Sequence, residues 1–508
     1  MSRRWALWLG LAGLLVWHLA LRRHGFALPM IVDEGEYACA ARAWLSGGLP
    51  YRDSFSQKPP MTLWLYSAAY TARPSDILAP RRLALVFSWL TMLCLLMLTP
   101  KAWRWEARLA APAVYGVLST SPIGTLGFAA NTEVFLCLFT TASALALRQG
   151  WVVAAGLAAG VALMTKQTAL WTVVVFAVLA YGSSKDQRKT AGLFLAGAAL
   201  VPLLWLIYFW KAGALQPLLS QVFLRNAAYA AVVSETSSLG SQLGWFAGTV
   251  APLFAIGDWP AWALAFWGLR GGKASWTSAE TLATAWLGAA LVGAFMGLFL
   301  FPYYFLQAFP ALALAAAAGL QKLKGRTAIT AFALLCLWPA GVRGAAYFWD
   351  PPELTAKKLL YPNPLFESLP LADYIRTHST SMDNIYIYGS EAQIYLYAQR
   401  APATIHVLSY ALTLFPESEQ AVADELAAIK GARPKFVVYS AQPGSTIISS
   451  KLGLSFQERV RAFLARDYRW IGQVDVLAGP SQYRFEPKGL GAAPDWNSEA
   501  SLFLFERR

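Results

Sequence analysis

Charge is scarce in this chain. Of its 508 residues only 14% are charged while 57% are hydrophobic, and the mean hydropathy is +0.42. A soluble globular protein would struggle to stay in water with that balance, so the class that fits is a polytopic membrane protein. Cysteine is also sparse. Cys39, Cys94, Cys137 and Cys336 are scattered and three of them sit inside apolar runs, so neither a disulfide framework nor a zinc site is indicated. Lys and Arg outnumber Asp and Glu by 42 to 28, but no basic run has interleaved aromatics, and nucleic-acid binding is not expected. An internal repeat and a low-complexity segment are missing; the region after about 350 shows no Gly-rich phosphate loop and no Ser-His-Asp pattern, and no cluster of metal-ligand type is evident near the charged loop at 31–60.

What is present is a series of apolar runs. A bilayer core needs roughly 20 apolar residues per helix. Runs of about that size lie near 5–24, 82–100, 109–127, 131–148, 150–165, 168–183, 190–210, 246–269, 281–301, 303–320 and 327–348, giving about eleven spans. The start, "MSRRWALWLGLAGLLVWHLALRRHG", has the basic and apolar regions of a signal peptide without a convincing small-x-small cleavage site, and it reads as an uncleaved first span. With a cytoplasmic N-terminus, alternate loops hold Arg3/Arg4, Lys101/Arg104/Arg108, Arg148, Lys185/Arg188/Lys189, Arg270/Lys273 and Lys322/Lys324/Arg326, in keeping with the positive-inside rule. A first loop at 28–81, a second near 211–245 and everything after about 349 then face the other side, the periplasm if the membrane is a bacterial inner membrane. Arg22, Arg23, Arg81 and Arg82 run against this orientation.

Past residue 348 the composition turns ordinary. "NIYIYG" and "KFVVYS" look like buried strands, and "EAQIYLYAQR" and "PESEQAVADELAAIKGA" have helical spacing, the second with a Pro start. Strands and helices together suggest a small α/β domain over 349–508, following a membrane domain over 1–348.

The densest charge lies in the first loop, "IVDEGEYACAARAWLSGGLPYRDSFSQKPP". Tyr37, Ala40, Ala41, Trp44 and Leu45 recur at helical spacing, predicting an amphipathic helix in the membrane interface that "SGG" ends. Pro59-Pro60 opens a second helix with Lys58 just before it. Asp33 and Glu36 fit a capping box, with Asp33 as the cap, and Lys58 fits a solvated or headgroup-pairing lysine. Taken together, they also fit a carboxylate and a lysine on adjacent helices, one offering free N–H groups to an anion, an arrangement suited to a phosphorylated lipid and a hydroxyl nucleophile.

The segment "DEGEYACAARAWLSGGLPYRDSFSQKPPMTLWLY" resembles the first extracytoplasmic loop of polytopic glycosyltransferases with a GT-C fold, in the protein O-mannosyltransferase-like and lipid A aminoarabinose transferase-like superfamily. "AANTEVFLCLF", "LMTKQTAL" and "FPYYFLQAFPALAL" are similar to later segments of that family, in the same order. The resemblance covers the membrane half well and the C-terminal region loosely. It implies a mainly α GT-C fold, transfer of a sugar from a polyprenyl-phosphate donor to a hydroxyl on the extracytoplasmic face, usually with inversion, and no nucleotide. It places the catalytic carboxylate at Asp33 and the donor-phosphate contact at Lys58.

The other site residues stay open. Glu133 matches a second carboxylate facing the site, or is a helix-dipole charge after Asn131 as N-cap. Lys166, beside Gln167, is a functional ionisable group or lies between two spans. Arg225 matches a basic donor contact in the second loop, or is solvated. Glu34, Gln167, Tyr303 and Tyr304 are candidates to line the cavity, although tyrosines at an interface need no function to be there. Phe301-Pro302 stands where many relatives carry a basic or imidazole residue, so donor contacts from that span are not implied.

The chemistry asks for a base, here Asp33, and charge stabilisation of the departing phosphate, here Lys58 with the second helix's N-terminus. The leaving group already carries charge, so no metal or other cofactor is expected. The partners expected are membrane lipid, the lipid-linked donor and an acceptor on an envelope lipid, glycan or protein. Two rivals remain: a polytopic lipid or glycan transporter or flippase, which calls for inverted repeats and broken helices with ionisable residues at the midplane, and a non-catalytic lipid-binding relative.

Overall fold

The computed structural model describes residues 3–122, 126–236, 238–271, 275–296, 300–414, 418–496, 498 and 501–508. Lys273, Pro416 and parts of the runs 109–127 and 281–301 lie outside them. Among the described residues, five helices are long and apolar enough to cross a membrane: Trp5–Ala27, Ala79–Leu98, Gln187–Lys211, Pro302–Lys322 and Gly325–Val342. Val152–Thr165, Gln167–Gly182 and Ala279–Phe295 are apolar but shorter. Gln187–Lys211 leaves Leu193, Leu200, Leu203, Leu204 and Ile207 exposed, which only a lipid solvent tolerates along one helix. The segment Phe309–Leu320 is instead buried on every side, because its alanines let neighbours close in. Where Gly319 crosses Gly268, a Cβ on Gly319 would lie 1.9 Å from the Leu264 carbonyl oxygen.

Several apolar runs are broken where one span is expected. The run 246–269 divides at Asp258 into Ala251–Gly257 and Trp259–Leu269, each with a proline in its first turn. The Asp258 carboxylate takes the Arg343 guanidinium at 2.7 Å, with both side chains buried. The run 303–320 begins with a 3-10 turn, Pro302–Ala308, before the helix Phe309–Lys322. Proline supplies no N–H to a preceding turn, and each break sits beside one.

The two ends of the bundle differ chemically. At one end Arg148 donates to the Leu98 carbonyl at 2.7 Å, Arg104 reaches the Leu320 carbonyl at 3.0 Å, and Lys322 reaches the carbonyls of Gly268 and Arg270 at 2.8 and 2.6 Å. Basic residues expected on one side of the membrane thus gather there. Helix Ala79–Leu98 runs from this end to the first loop, where Arg81 is buried. Arg22 is buried too, against Ser88 Oγ and the Ala129 carbonyl at 3.4 and 3.5 Å. Arg22 and Arg81 are internal structural charges, which is why they disobey a rule that governs solvent-facing loops.

The C-terminal region carries one mixed sheet of β1 (Ile385–Tyr388), β2 (Phe436–Ser440), β3 (Tyr468–Asp475), β4 (Gln482–Phe485) and β5 (Ser501–Arg507), in the order β1-β2-β5-β3-β4. β1 and β2 pair in parallel and the remaining pairs are antiparallel. The helices Gln393–Ala398 and Glu419–Ala432 both lie between β1 and β2 in sequence, so they form the crossover a parallel pair requires. Ser418 caps the second, accepting from the Ala421 N–H at 3.1 Å.

Candidate active site around the first loop

The first loop folds as two helices, Val32–Leu45 and Pro60–Ala72. The first does not lie open on an interface. Residues Glu34 to Ala41 are all buried, because the C-terminal region covers the helix. A Cβ on Gly35 would stand 2.6 Å from the Gln393 backbone nitrogen, so the 392–393 chain rests directly on it. Only Leu45, near the end, is well exposed. The helix is sandwiched between Pro60–Ala72 and the C-terminal region, and the apolar stripe reflects protein contact on both sides.

The cap also differs from the expected one. Ile31 is the N-cap, and Glu34, at the third helical position, accepts from the Ile31 N–H at 3.1 Å. Asp33 therefore caps nothing. Glu34 is fully enclosed: Arg81 grips it through Nε at 2.8 Å and Nη2 at 2.5 Å, and the Ala130 N–H donates to it at 2.8 Å. Arg81 in turn donates to the carbonyls of Gly25, Leu28 and Pro29 at 2.7–2.8 Å. Glu34 therefore does not line a cavity; it is a buried charge whose lone pairs are all used within the protein.

Asp33 is the opposite case. It is half-buried, and among the described residues its carboxylate has no hydrogen bond or ion pair. It lies within electrostatic reach of Lys58 and of Tyr229, Tyr303, Tyr304 and Tyr410. Lys58, also half-buried, precedes Pro59, the N-cap of the second helix, and Pro60, its first residue. Its ammonium lies 5.7 Å from the Tyr37 ring centroid and makes no ion pair among the described residues. Burial works against that ammonium, but Asp33, Glu36 and Glu133 together outweigh it and hold Lys58 above the ordinary lysine range. The site thus holds a cation and a carboxylate, neither neutralised by a direct partner.

The backbone of Lys58 is fixed at both ends. Its N–H donates to Ser56 Oγ at 3.2 Å, and its carbonyl accepts from the Tyr51 hydroxyl at 2.8 Å. Tyr51 has φ +71°, a left-handed conformation that a bulky residue adopts only when its surroundings impose it. Gln221 helps by donating to the Tyr51 carbonyl at 2.5 Å. Ser56 Oγ donates at 2.8 Å to Glu36 Oε1. Burial pushes the Glu36 carboxyl up to about 7, with Lys58 opposing the rise and Asp33 adding to it.

Glu133, in the first turn of Thr132–Arg148, forms a buried ion pair with Lys166 and accepts from Thr132 Oγ1 at 2.9 Å. Asn131 stands at the N-cap but makes no capping bond with its side chain. The Lys166 ammonium sits 4.0 Å from the Tyr304 ring centroid, and Thr62 of the second loop helix donates to the Thr165 carbonyl at 3.0 Å. Lys166 and Glu133 are therefore joined to each other and placed beside the Asp33–Lys58 pair, whose charges both feel. Gln167 donates to the Val222 carbonyl at 3.0 Å, tying the second loop to this cluster. Arg225 is buried, donating to the Ala411 carbonyl at 2.5 Å with its guanidinium 5.2 Å from the Phe55 ring centroid. That position joins the second loop to the C-terminal region and faces the first loop through Phe55. Tyr410 donates to Gln57 Oε1 at 3.1 Å, so the C-terminal region also touches the residue before Lys58.

No protein-family profile matches the sequence, and no curated protein matches it. Solved structures do. A crystal structure of ArnT from Cupriavidus metallidurans bound to undecaprenyl phosphate aligns with 99% of this chain and 98% of its own at TM-score 0.56 and 17% identity. The same protein in the apo state aligns at TM-score 0.53 and 16% identity, over 99% of this chain and 97% of its own. An oligosaccharyltransferase from Archaeoglobus fulgidus, tethered to an acceptor peptide containing the NVT sequon, aligns at TM-score 0.53 and 12% identity, over 95% of this chain and 74% of its own. The chain has the GT-C fold. In that fold the alignment with ArnT runs through the C-terminal region as well as the spans, a wider likeness than the loop motif alone implies.

Ser56 and Tyr51 are site-shaping residues that sequence reasoning did not single out, and Arg81 and Glu36 figure there only as a topological exception and a capping-box partner. A signal existed for Arg81, a cation on the wrong side of the positive-inside rule some fifty residues from an unexplained Asp-Glu pair. Tyr51 and Ser56 carry no comparable signal, because hydroxyl residues in loops are common.

Proposed function

We propose that this protein is an integral membrane glycosyltransferase that moves a sugar from a polyprenyl-phosphate donor to a hydroxyl on an envelope lipid, glycan or protein. The observation that carries the reading is the contrast in pairing: Glu34, Glu36 and Glu133 are all bonded within the protein, whereas Asp33 and Lys58, within electrostatic reach of each other, have no direct ionic partner among the described residues. The GT-C fold, and the undecaprenyl phosphate bound by one structural neighbour, support the donor class.

On this reading the acceptor oxygen attacks the anomeric carbon as its proton passes to Asp33. The bond from that carbon to the phosphate oxygen breaks and its electron pair leaves with the phosphate. Attack opposite the leaving group inverts the centre. Lys58 and the free N–H groups at the start of Pro60–Ala72 receive the departing charge. Glu133 with Lys166, and Tyr303 and Tyr304, lie within electrostatic reach of the Asp33–Lys58 pair. Arg225 is the poorer phosphate ligand, since its guanidinium already holds Ala411. A divalent cation takes several oxygen ligands; of the four carboxylates described around this site Glu34, Glu36 and Glu133 are engaged within the protein, so the reading is metal-independent. It also places 28–81 and 349–508 on the extracytoplasmic face, the periplasmic side of a bacterial inner membrane.

The break at Asp258, with its buried partner Arg343, is the feature a flippase would use. Purified protein given a labelled lipid-linked sugar separates the readings. An enzyme releases free polyprenyl phosphate, a flippase leaves the donor intact on the other leaflet, and a non-catalytic relative binds it unchanged.

A further inference from the structure

We propose that Glu36 is a positioning residue for donor binding, acting through Ser56 on the turn that presents Lys58. The inference rests on the glycosyl-transfer reading above and adds to it a residue that touches no substrate. Glu36 lies one turn after Asp33 on the same helix, fully buried, and the covering C-terminal region shuts it from solvent. Buried carboxylates are costly unless bonded, and this one has a single side-chain partner among the described residues, the Ser56 hydroxyl at 2.8 Å. That hydroxyl has one proton, which it gives to Glu36, so its lone pairs point elsewhere and accept the Lys58 N–H at 3.2 Å. The carboxylate thus sets the rotamer of Ser56, and Ser56 sets the chain direction at Lys58, two residues before the helix begins. The Tyr51 hydroxyl fixes the other side of the same peptide. Glu36 also takes a hydrogen bond from the Gln57 backbone, and without Glu36 the Lys58 N–H loses its oriented acceptor. The Gln57 carbonyl stays held by Asn226 at 2.9 Å and the Lys58 carbonyl by Tyr51, so the turn persists while the direction of the Lys58 side chain loosens.

The relay predicts a distinct kinetic signature. Glu36→Ala and Ser56→Ala should each raise the KM for lipid-linked donor about tenfold or more, the scale of one hydrogen bond to a charged group. The acceptor KM, and kcat at saturating donor, should stay within about threefold. Because the two residues act in series, the double variant should be no worse than the worse single. Glu36→Gln keeps an oxygen for the Ser56 hydroxyl and should recover most of the loss. Binding of undecaprenyl phosphate in detergent, measured on the full-length protein beside a thermal unfolding curve, gives the same comparison without turnover, and Ser56→Ala, the smallest change, keeps it open if Glu36→Ala unfolds. Effects that multiply in the double variant, an unchanged donor KM, or a Glu36→Gln as impaired as Glu36→Ala would each overturn the relay. If the wild type binds no undecaprenyl phosphate and releases none, the glycosyl-transfer reading falls and the relay falls with it; if the wild type does both and the variants match it, only the relay is lost.

Discussion

The two carboxylates at the head of the Val32–Leu45 helix sit in contrasting surroundings. Glu34 turns inward to Arg81, to the Ala130 N–H and back to Ile31, and it joins the first loop to an arginine at the start of the second span, Ala79–Leu98. Asp33, one residue earlier, is half-buried and within electrostatic reach of Lys58 and several tyrosines. A buried ion pair with every lone pair used contributes architecture, and removing one partner strands the other. A carboxylate without a partner contributes little to the fold and remains free to take a proton. The acidic pair is therefore one structural residue and one chemical residue, and nothing in the letters "DE" says which is which.

Substitutions should break that contrast in opposite ways. Asp33→Asn keeps shape and removes the base, so turnover should fall by about two to four orders of magnitude with little change in the unfolding midpoint. Glu34→Gln should instead cost about 3–5 kcal/mol, because Arg81 stays buried without its counter-charge, and Arg81→Ala should match it. Thermal unfolding of purified protein checks this. Sequence alone makes Glu34 a candidate to line the cavity, and the enclosed ion pair makes it a structural residue instead. Lys58→Ala should weaken undecaprenyl-phosphate binding by roughly ten- to a hundredfold, with Lys58→Arg between it and the wild type, since charge is kept but the compact ammonium is not.

The smallest effect concerns pH. The Glu36 carboxyl is pushed from 4.5 up to about 7 by burial, so the folded state holds a proton there that the unfolded state gives up. That contribution to stability is full below about 4.5 and is lost as pH rises through about 7. Unfolding midpoints compared between wild type and Glu36→Gln across this window should show the wild type alone losing stability from this group as pH rises.

Much of the membrane half is legible in sequence because lipid imposes one-dimensional rules, apolar length and loop charge, which any run of residues reveals. The Lys58-Pro59-Pro60 helix start is legible for a similar reason: proline chemistry is local. The Asp258 break is harder, since a lone aspartate in an apolar run matters only once Arg343, 85 residues away, is seen to meet it. The covering of the first loop helix is harder still. Its apolar stripe predicts a partner but does not distinguish lipid from protein, and the backbone at Gln393 that occupies Gly35's missing side-chain space comes from the other end of the chain. In the C-terminal region, β1 and β2 are uniformly buried and read as strands, whereas β3 mixes buried residues with partly exposed polar ones and β4 is mostly exposed, so neither gives a clear apolar run.

The central claim is that Asp33 is free for chemistry because the fold assigns it nothing else. Single-turnover release of polyprenyl phosphate and equilibrium donor affinity, both measured on one preparation of Asp33→Asn, test it most directly. The expected result is a release rate at least about a hundredfold below wild type with donor affinity within about threefold and an unchanged unfolding midpoint. Release at the wild-type rate, or a loss of rate matched by equal losses of affinity and stability, would contradict it and move the search for the base to Glu133.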